Sequence, residues 1–277
     1  MSCMPSARAR PAGRVLVVTP TYDERENLAA TLAALRRNAP DADVLVVDDA
    51  SPDGTGELAD EAAAADPRIH VLHRAAKDGL GRAYLAGFAW AREHGYDTVV
   101  EFDADGSHPA EALPAMLEAL AEPGVGLVIG SRWVAGGRLV DWPASRRRLS
   151  KTANAYARVM LRLPVRDVTA GYRAYRSEVL AAIADQVVDS RGYCFQIDLT
   201  IRTADAGWGI REVPITFSER RAGVSKMTGA VVAEAMWRVT AWGIARRLRG
   251  RRPLPDGQGH GPGVVADAQR PGPEGDG

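Results

Sequence analysis

Cysteine is nearly absent from this sequence: two occur in 277 residues, Cys3 and Cys194. One thiol near the amino terminus and one in an apolar, aromatic setting offer neither a disulfide framework nor the ligand spacing of a zinc site. A reduced, cytoplasmic setting is the expectation. Also missing is any run of roughly 18 uninterrupted apolar residues, the length a membrane-crossing helix needs. The opening stretch MSCMPSARARPAG carries arginines but no apolar segment of the kind a secretory signal requires. Neither sign of charge dominates, since 35 Lys and Arg balance 35 Asp and Glu. Bulk charge therefore gives no reason to invoke nucleic acid, and any anion site has to be local.

What is present is enough for a large core, with 46% hydrophobic residues over 277 positions. The expected organisation is a disordered leader at 1–13, one domain at 14–248 and a disordered tail at 249–277, where Gly, Pro and Asp accumulate. From Arg14 to Ser131, Val- and Ile-rich runs of about five residues (RVLVVT, DVLVVD, IHVLH, TVVEF, GLVIGS) alternate with helical patterns near 27–38, 55–65, 80–94 and 110–120. That alternation predicts βαβ crossovers and a mostly parallel sheet with helices on both faces, an α/β fold. In 132–248 the pattern predicts an Arg-rich loop at 146–148, a helix to about Leu163, a short strand in GYRAYR, helices near Ser177 and Phe195, a strand at 209–216 and a helix at 228–248.

Ligands of such sheets sit beyond the carboxyl ends of the strands, and the unusual residues cluster there. Asp103-Ala104-Asp105 follows TVVEF; in extended backbone, residues two apart point the same way, so both carboxylates can address one pocket. Magnesium or manganese is commonly held by one or two carboxylates and completed by substrate phosphates and water. The plainer reading is an acidic turn capping the helix after Pro109. Asp48 and Asp49 leave the second strand together ahead of the turn Ser51-Pro52-Asp53-Gly54, with Thr55 a cap for the next helix. Pro20 to Glu24 supply an aromatic face and a carboxylate, or simply a helix start.

Arg132, Arg220 and Lys226 suit phosphate oxygens, and the loop SERRAGVSKM could close over a diphosphate or be an ordinary charged surface loop. Lys77 to Gly87 lacks the G-x-G-x-x-G spacing of a dinucleotide fingerprint, and its glycines fit a tight helix entry. His70 and His73 alternate on a strand and read as structural; His108, near the D-x-D, is a weaker contact candidate.

PTYDERENL, VDDASPDGT, EFDADGSHP, IGSRW, DVTAGYRAY, GYCFQ, EVPITF and ERRAGVSKM occur in that order. Together they resemble the dolichol or polyprenol phosphate mannose synthases of glycosyltransferase family 2, with coverage from about Val15 to Trp242. The resemblance implies a GT-A, Rossmann-like fold whose 14–131 half binds nucleotide sugar and whose 132–248 half serves the acceptor. It implies that Pro20, Tyr22 and Glu24, with Val47 and Asp49, hold guanosine. Asp103, Ala104 and Asp105 would lie at the diphosphate, with Asp103 and Asp105 on Mg2+ or Mn2+ and Asp105 the foremost ligand. Arg132, Arg220 and Lys226 would neutralise phosphates, and Gln196 would approach the sugar. Asp23 stands where relatives have Asn, and Trp133 where they have Tyr.

The implied reaction moves mannose from GDP-mannose to polyprenyl phosphate with inversion, at the inner membrane face. A phosphate monoester has a second pKa of about 6, so the acceptor is largely dianionic near neutrality and needs no general base. Alignment and charge stabilisation would carry catalysis, with Asp105, Arg132, Arg220 and Lys226 the catalytic set. The resemblance also implies a membrane-embedded acyltransferase as partner in some relatives. The helix at 231–242, with Trp237 and Trp242, could anchor at lipid beside Arg246, Arg247, Arg249, Arg251 and Arg252, or could pack on the core. Two other functions remain in view at this point: the same chemistry from UDP-glucose, and a silent nucleotide-sugar-binding module that anchors a membrane partner.

Overall fold

The computed structural model describes residues 13–183, 193–218 and 229–248. The anticipated leader, apart from Gly13, and the anticipated tail lie outside the described residues. The first half alternates β1 (Val15–Thr21), α1 (Arg25–Asn38), β2 (Asp43–Asp48), α2 (Thr55–Ala65), β3 (Ile69–His73), α3 (Leu80–Glu93) and β4 (Thr98–Glu101). A 3-10 turn at Ala110–Ala112 then leads into α4 (Leu113–Leu120) and β5 (Val125–Ser131). Every residue of β1 and β5 is buried, which is why these segments read as continuous apolar runs rather than alternating ones. Alternation still sorts their side chains: Leu16, Val18, Leu45 and Val47 face the core under α3, while Val17, Val44 and Val46 face the core under α1 and α4.

The second half contributes β6 (Arg138–Val140), α5 (Ala144–Leu161), β7 (Arg173–Arg176), α6 (Ser177–Ile183), α7 (Tyr193–Asp205), β8 (Gly209–Pro214), β9 (Thr216–Ser218) and α8 (Gly229–Leu248). The main sheet runs β3-β2-β1-β4-β7-β5-β8. All neighbours are parallel except β7, which is antiparallel to both β4 and β5. The two halves of the chain therefore interleave in one sheet. Register sets Glu101 of β4 opposite Arg173 of β7. A small parallel pair, β6 with β9, stands apart.

Four expectations change. Arg146 to Arg148 form the first turns of α5 rather than a loop, and the Arg147 N–H already donates to Pro143 O at 3.0 Å. The single strand expected at 209–216 breaks at Ile215 into β8 and β9, because Ile215 N–H donates to Ser131 O while Arg138 N–H donates to Ile215 O. Thr55 does not cap α2: its N–H and hydroxyl both donate to Asp53 Oδ1, at 3.0 and 2.5 Å, so Asp53 satisfies the helix start. Trp242 packs against the main core, whereas Trp237 is 72% exposed; of the two proposed anchors only one points outward.

Helix α3 lies on β1 so closely that a Cβ at Gly87 would meet Val18 Cγ1 at 2.4 Å. Gly87→Ala gains about 1 kcal/mol of helix propensity but forces overpacking that costs about 1–3 kcal/mol against a stiff β-branched neighbour. A net loss of about 1 kcal/mol is expected in urea unfolding, with the slope of the transition unchanged.

Candidate active site

In the strand order, connections run outward in one direction through β1, β2 and β3 and in the other from β4, so β1 and β4 flank the point of reversal where a crevice opens. The carboxyl ends of β1, β2 and β4 deliver Pro20 to Glu24, Asp48 to Gly54 and Asp103 to Ser107 to that edge. Two loop residues adopt left-handed backbone, Asp23 at φ 58° and Ala50 at φ 55°. Asn and Asp are the residues that tolerate such φ best, so Asp23 suits its position. Its N–H donates to Ser51 Oγ at 3.2 Å, joining the first two loops. Glu24 accepts from Asn27 Nδ2 at 2.8 Å, and its N–H donates to Thr55 Oγ1 at 3.1 Å.

Asp48 and Asp49 point to different partners. Asp48 is a strut inside the loop, taking Thr21 Oγ1 at 3.0 Å, Ser51 Oγ at 2.6 Å and Ser51 N–H at 3.1 Å. Asp49 is bound by Arg74 Nη1 at 2.5 Å. Val47 is wholly buried in the core below. Lys77 places its ammonium 3.4 Å from the centroid of the Tyr22 ring.

The Asp103-Ala104-Asp105 turn is held from four sides. Tyr84 Oη donates to Asp103 Oδ1 at 2.7 Å; Asp103 N–H donates to His108 Nδ1 at 3.1 Å; Thr31 Oγ1 donates to Ala104 O at 2.9 Å; Ser107 N–H donates to Asp105 Oδ1 at 3.0 Å. Accepting at Nδ1 puts the proton of a neutral His108 ring on Nε2, which lies 3.8 Å from Asp103 Oδ2. His108 itself is stacked on Tyr172 and edge-on to Phe102 and Phe217, a packed ring rather than a solvated one. At the helical turn that begins at Ala110 the N-cap residue is Pro109, which makes no side-chain cap bond. Among the described residues no three His, Cys, Asp or Glu form a cage for an ion. Two carboxylates fit a cation only if phosphates and water complete its shell, which is how magnesium is usually held.

Arg132 is buried and bound bidentately by Asp167, Nε at 2.8 Å and Nη2 at 2.7 Å, with its own N–H adding a third bond at 2.9 Å. Its charge is thus already matched. Trp142 and Phe217 flank the guanidinium at 5.7 and 5.4 Å, and Arg146 stacks over the Trp142 ring at 4.0 Å. The indole N–H groups of Trp133 and Trp142 are buried without a partner. Arg220 and Lys226 lie outside the described residues.

Beneath the carboxylates, Glu101 is fully buried, with the Gln196 side chain beside it. Arg173, also fully buried, spends its donors on Ala170 O, Val168 O, Gln196 O and Thr200 Oγ1. Burial pushes the Glu101 carboxyl up to about 8 and Asp103 adds to the rise, while the Arg173 charge and the Gln196 amide pull it partly back.

Several of these residues escaped the sequence reading. Arg74 follows the end of β3, a strand end to which the carboxyl-edge rule had not been applied. Tyr84 sits in the Lys77–Gly87 segment weighed only for dinucleotide binding. Asp167 stands in the quoted DVTAGYRAY and Arg146 in the Arg-rich segment, but neither was given a role there, and Trp142 carried no motif signal.

A family model described as glycosyl transferase family 2 matches residues 16–184. This chain belongs to glycosyltransferase family 2. Within the family, it is 57% identical to the undecaprenyl-phosphate mannosyltransferase of Micrococcus luteus, over 86% of this chain and 98% of that protein. It is 56% identical to the polyprenol monophosphomannose synthase of Mycolicibacterium smegmatis, over 87% and 91% of the two chains. These matches place this glycosyltransferase in the polyprenol-phosphate mannosyltransferase group. Its fold is GT-A: the mannosyltransferase of Pyrobaculum calidifontis, solved with GDP-Man and Mn2+, superposes with a TM-score of 0.57 at 21% identity, covering 87% of this chain and 66% of that one. The glucosyl-3-phosphoglycerate synthase of Mycobacterium tuberculosis, solved with Mn2+ and UDP, gives 0.58 at 20% identity, covering 88% and 82%.

The buried Glu101 carboxyl has a pH signature. Its ordinary value is 4.5 and its folded value about 8, so between them the folded state holds a proton that the unfolded state lacks. Stability contributed by this group is therefore complete below pH 4.5 and declines as pH rises towards 8. Glu101→Gln removes the titration, and urea midpoints measured from pH 5 to 8 are expected to decline less for the variant than for the parent.

Proposed function

We propose that this chain transfers mannose from GDP-mannose to a polyprenyl phosphate, with inversion, releasing GDP and a β-linked lipid phosphomannose. The observation that carries sugar and acceptor is the 57% identity over 98% of an undecaprenyl-phosphate mannosyltransferase. Support for the donor comes from the site: the carboxyl ends of β1, β2 and β4 bring Tyr22, Glu24 and Asp49 to the same edge as Asp103 and Asp105, the residues that the family resemblance assigns to guanosine and diphosphate.

The acceptor phosphate, dianionic near neutrality with a second pKa of about 6, attacks the anomeric carbon as the bond to GDP breaks. One displacement inverts the α-mannosyl centre, and no side chain has to remove a proton. A divalent cation, Mg2+ or Mn2+, held by Asp103, Asp105 and the diphosphate would supply Lewis-acid neutralisation of the departing GDP. Arg132, fixed by Asp167, would neutralise the phosphates, a role also proposed for Arg220 and Lys226; Gln196 would approach the sugar, and Arg146 and Trp142, next to Arg132, would serve the acceptor.

No described helix is long and apolar enough to cross a membrane, so the lipid acceptor has to be met at a surface. Helix α8 turns Trp237, Ile244 and Leu248 outward, at spacings of seven and four that share one helical face. Its neighbour α5 carries Arg146, Arg147, Arg148, Lys151 and Arg158 and no carboxylate, a complement to anionic lipid at about 1 kcal/mol per cation near the surface. The reading places the enzyme on the inner face of the membrane, where an acyltransferase embedded in the bilayer would find its lipid product.

Labelled mannose offered as GDP-mannose to a short polyprenyl phosphate should yield lipid product with Mg2+ or Mn2+ and none with EDTA, and UDP-glucose should be a poor donor. Asp105→Ala is expected to lower kcat at least about 10²-fold, the scale of losing a charge-stabilising group. No product from any donor with folded protein would overturn the reading in favour of a silent binding module. Sedimentation with vesicles containing anionic lipid is expected to weaken when Trp237 and Leu248 are both changed to Ser, with turnover on a detergent-dispersed acceptor retained.

A further inference from the structure

The segment from Lys77 to Gly87 takes no part in the function described so far, yet it builds the start of α3 and delivers one side chain to the acidic turn. Gly79 adopts φ +92° at the helix entry. Two residues on, a Cβ at Gly81 would come within 3.0 Å of the Phe195 ring, so this glycine lets α3 approach α7 closely. Tyr84, on the next turn, lies wholly buried between Phe195 and Phe88, its ring 6.4 Å from the first at an interplanar angle of 8° and 6.2 Å from the second at 28°. Packed in this way, the ring has one direction for its hydroxyl, and Asp103 Oδ1 stands there at 2.7 Å.

An aspartate carboxylate turns readily about its last torsion, which has no sharp staggered wells. With Oδ1 held by Tyr84, Oδ2 is turned to the opposite side, 3.8 Å from His108 Nε2 and 3.4 Å from where a Cβ would stand on Gly171. We propose that Tyr84 is a positioning residue: by binding Oδ1 of Asp103 it fixes Oδ2 as the oxygen offered to a cation on a nucleoside diphosphate. The proposal rests on the reading that Asp103 and Asp105 hold such a cation, and it assigns the Lys77–Gly87 segment the task of setting the geometry of that pair. Burial, with Asp103 beside it, raises the phenol well above the usual tyrosine range, so the hydroxyl remains a donor.

The test is Tyr84→Phe, which keeps the ring and its stacking. Binding of Mn2+ in the presence of GDP, read as free Mn2+ by electron paramagnetic resonance, should weaken about 10-fold or more, the usual cost of removing a group that orients a ligand. Binding of GDP without metal should stay as in the parent. Tyr175→Phe serves as the control, because that buried phenol accepts from Arg173 at 3.3 Å and does not touch Asp103; it should lose stability while keeping Mn2+ affinity. Parental affinity in Tyr84→Phe, or an equal loss in Tyr175→Phe, would overturn the proposal alone. A parent protein whose GDP binding is indifferent to Mn2+ would overturn the metal reading and the proposal with it.

Discussion

Everything in the site depends on the pairing of β1 with β4 at the point where the strand order reverses. Connections diverge there, so no crossover covers the carboxyl edge, and a crevice is left above two strands that are buried on both faces. Val15↔Thr98 through Val18↔Glu101 set the register of that pair. Because the Phe102 N–H still donates to Val18 O, the ladder continues to the residue before Asp103. The acidic turn thus begins where the sheet stops.

A second constraint is electrical. Acidic groups brought together at a partly buried edge need donors, and nearly every one has them: Asp48 from Thr21 and Ser51, Asp49 from Arg74, Asp103 from Tyr84, Asp167 from Arg132. Pairs such as Arg132–Asp167 are costly to break, at about 3–5 kcal/mol once one buried partner is lost. They hold positions more than they add net charge. Glu101 is the exception, a fully buried carboxyl beneath the turn whose folded value of about 8 leaves it largely protonated at neutral pH, which spares the site one more negative charge where diphosphate would bind.

The sequence carried most of the fold where periodicity and strand ends speak for themselves. The alternation from Arg14 to Ser131 marked five strands and their helices, and the carboxyl-edge rule brought Glu24, Asp49 and Asp105 to one side. It was weaker where tertiary contact decides. Three successive arginines after Pro143 have the composition of a solvated loop, yet they open a helix whose inner face is set by Asn154, Ala157 and Leu161 much further on. Strands of three residues, such as β6 and β9, are too short to show a period. Tyr84 reaches Asp103 across 19 positions and Asp167 reaches Arg132 across 35, distances at which no local pattern links partners. Trp237 and Trp242 looked alike as anchors; only the packing of α8 on the core separates them.

The central claim is that Asp103 and Asp105, at the end of β4, hold a divalent cation together with the diphosphate of GDP. Crystals grown with GDP and Mn2+, measured for anomalous scattering, test it most directly. The account predicts one strong peak in the β1–β4 crevice within coordination distance of a carboxylate oxygen of this pair and of both phosphates. Well-ordered GDP in that crevice with no manganese peak beside either carboxylate would contradict it.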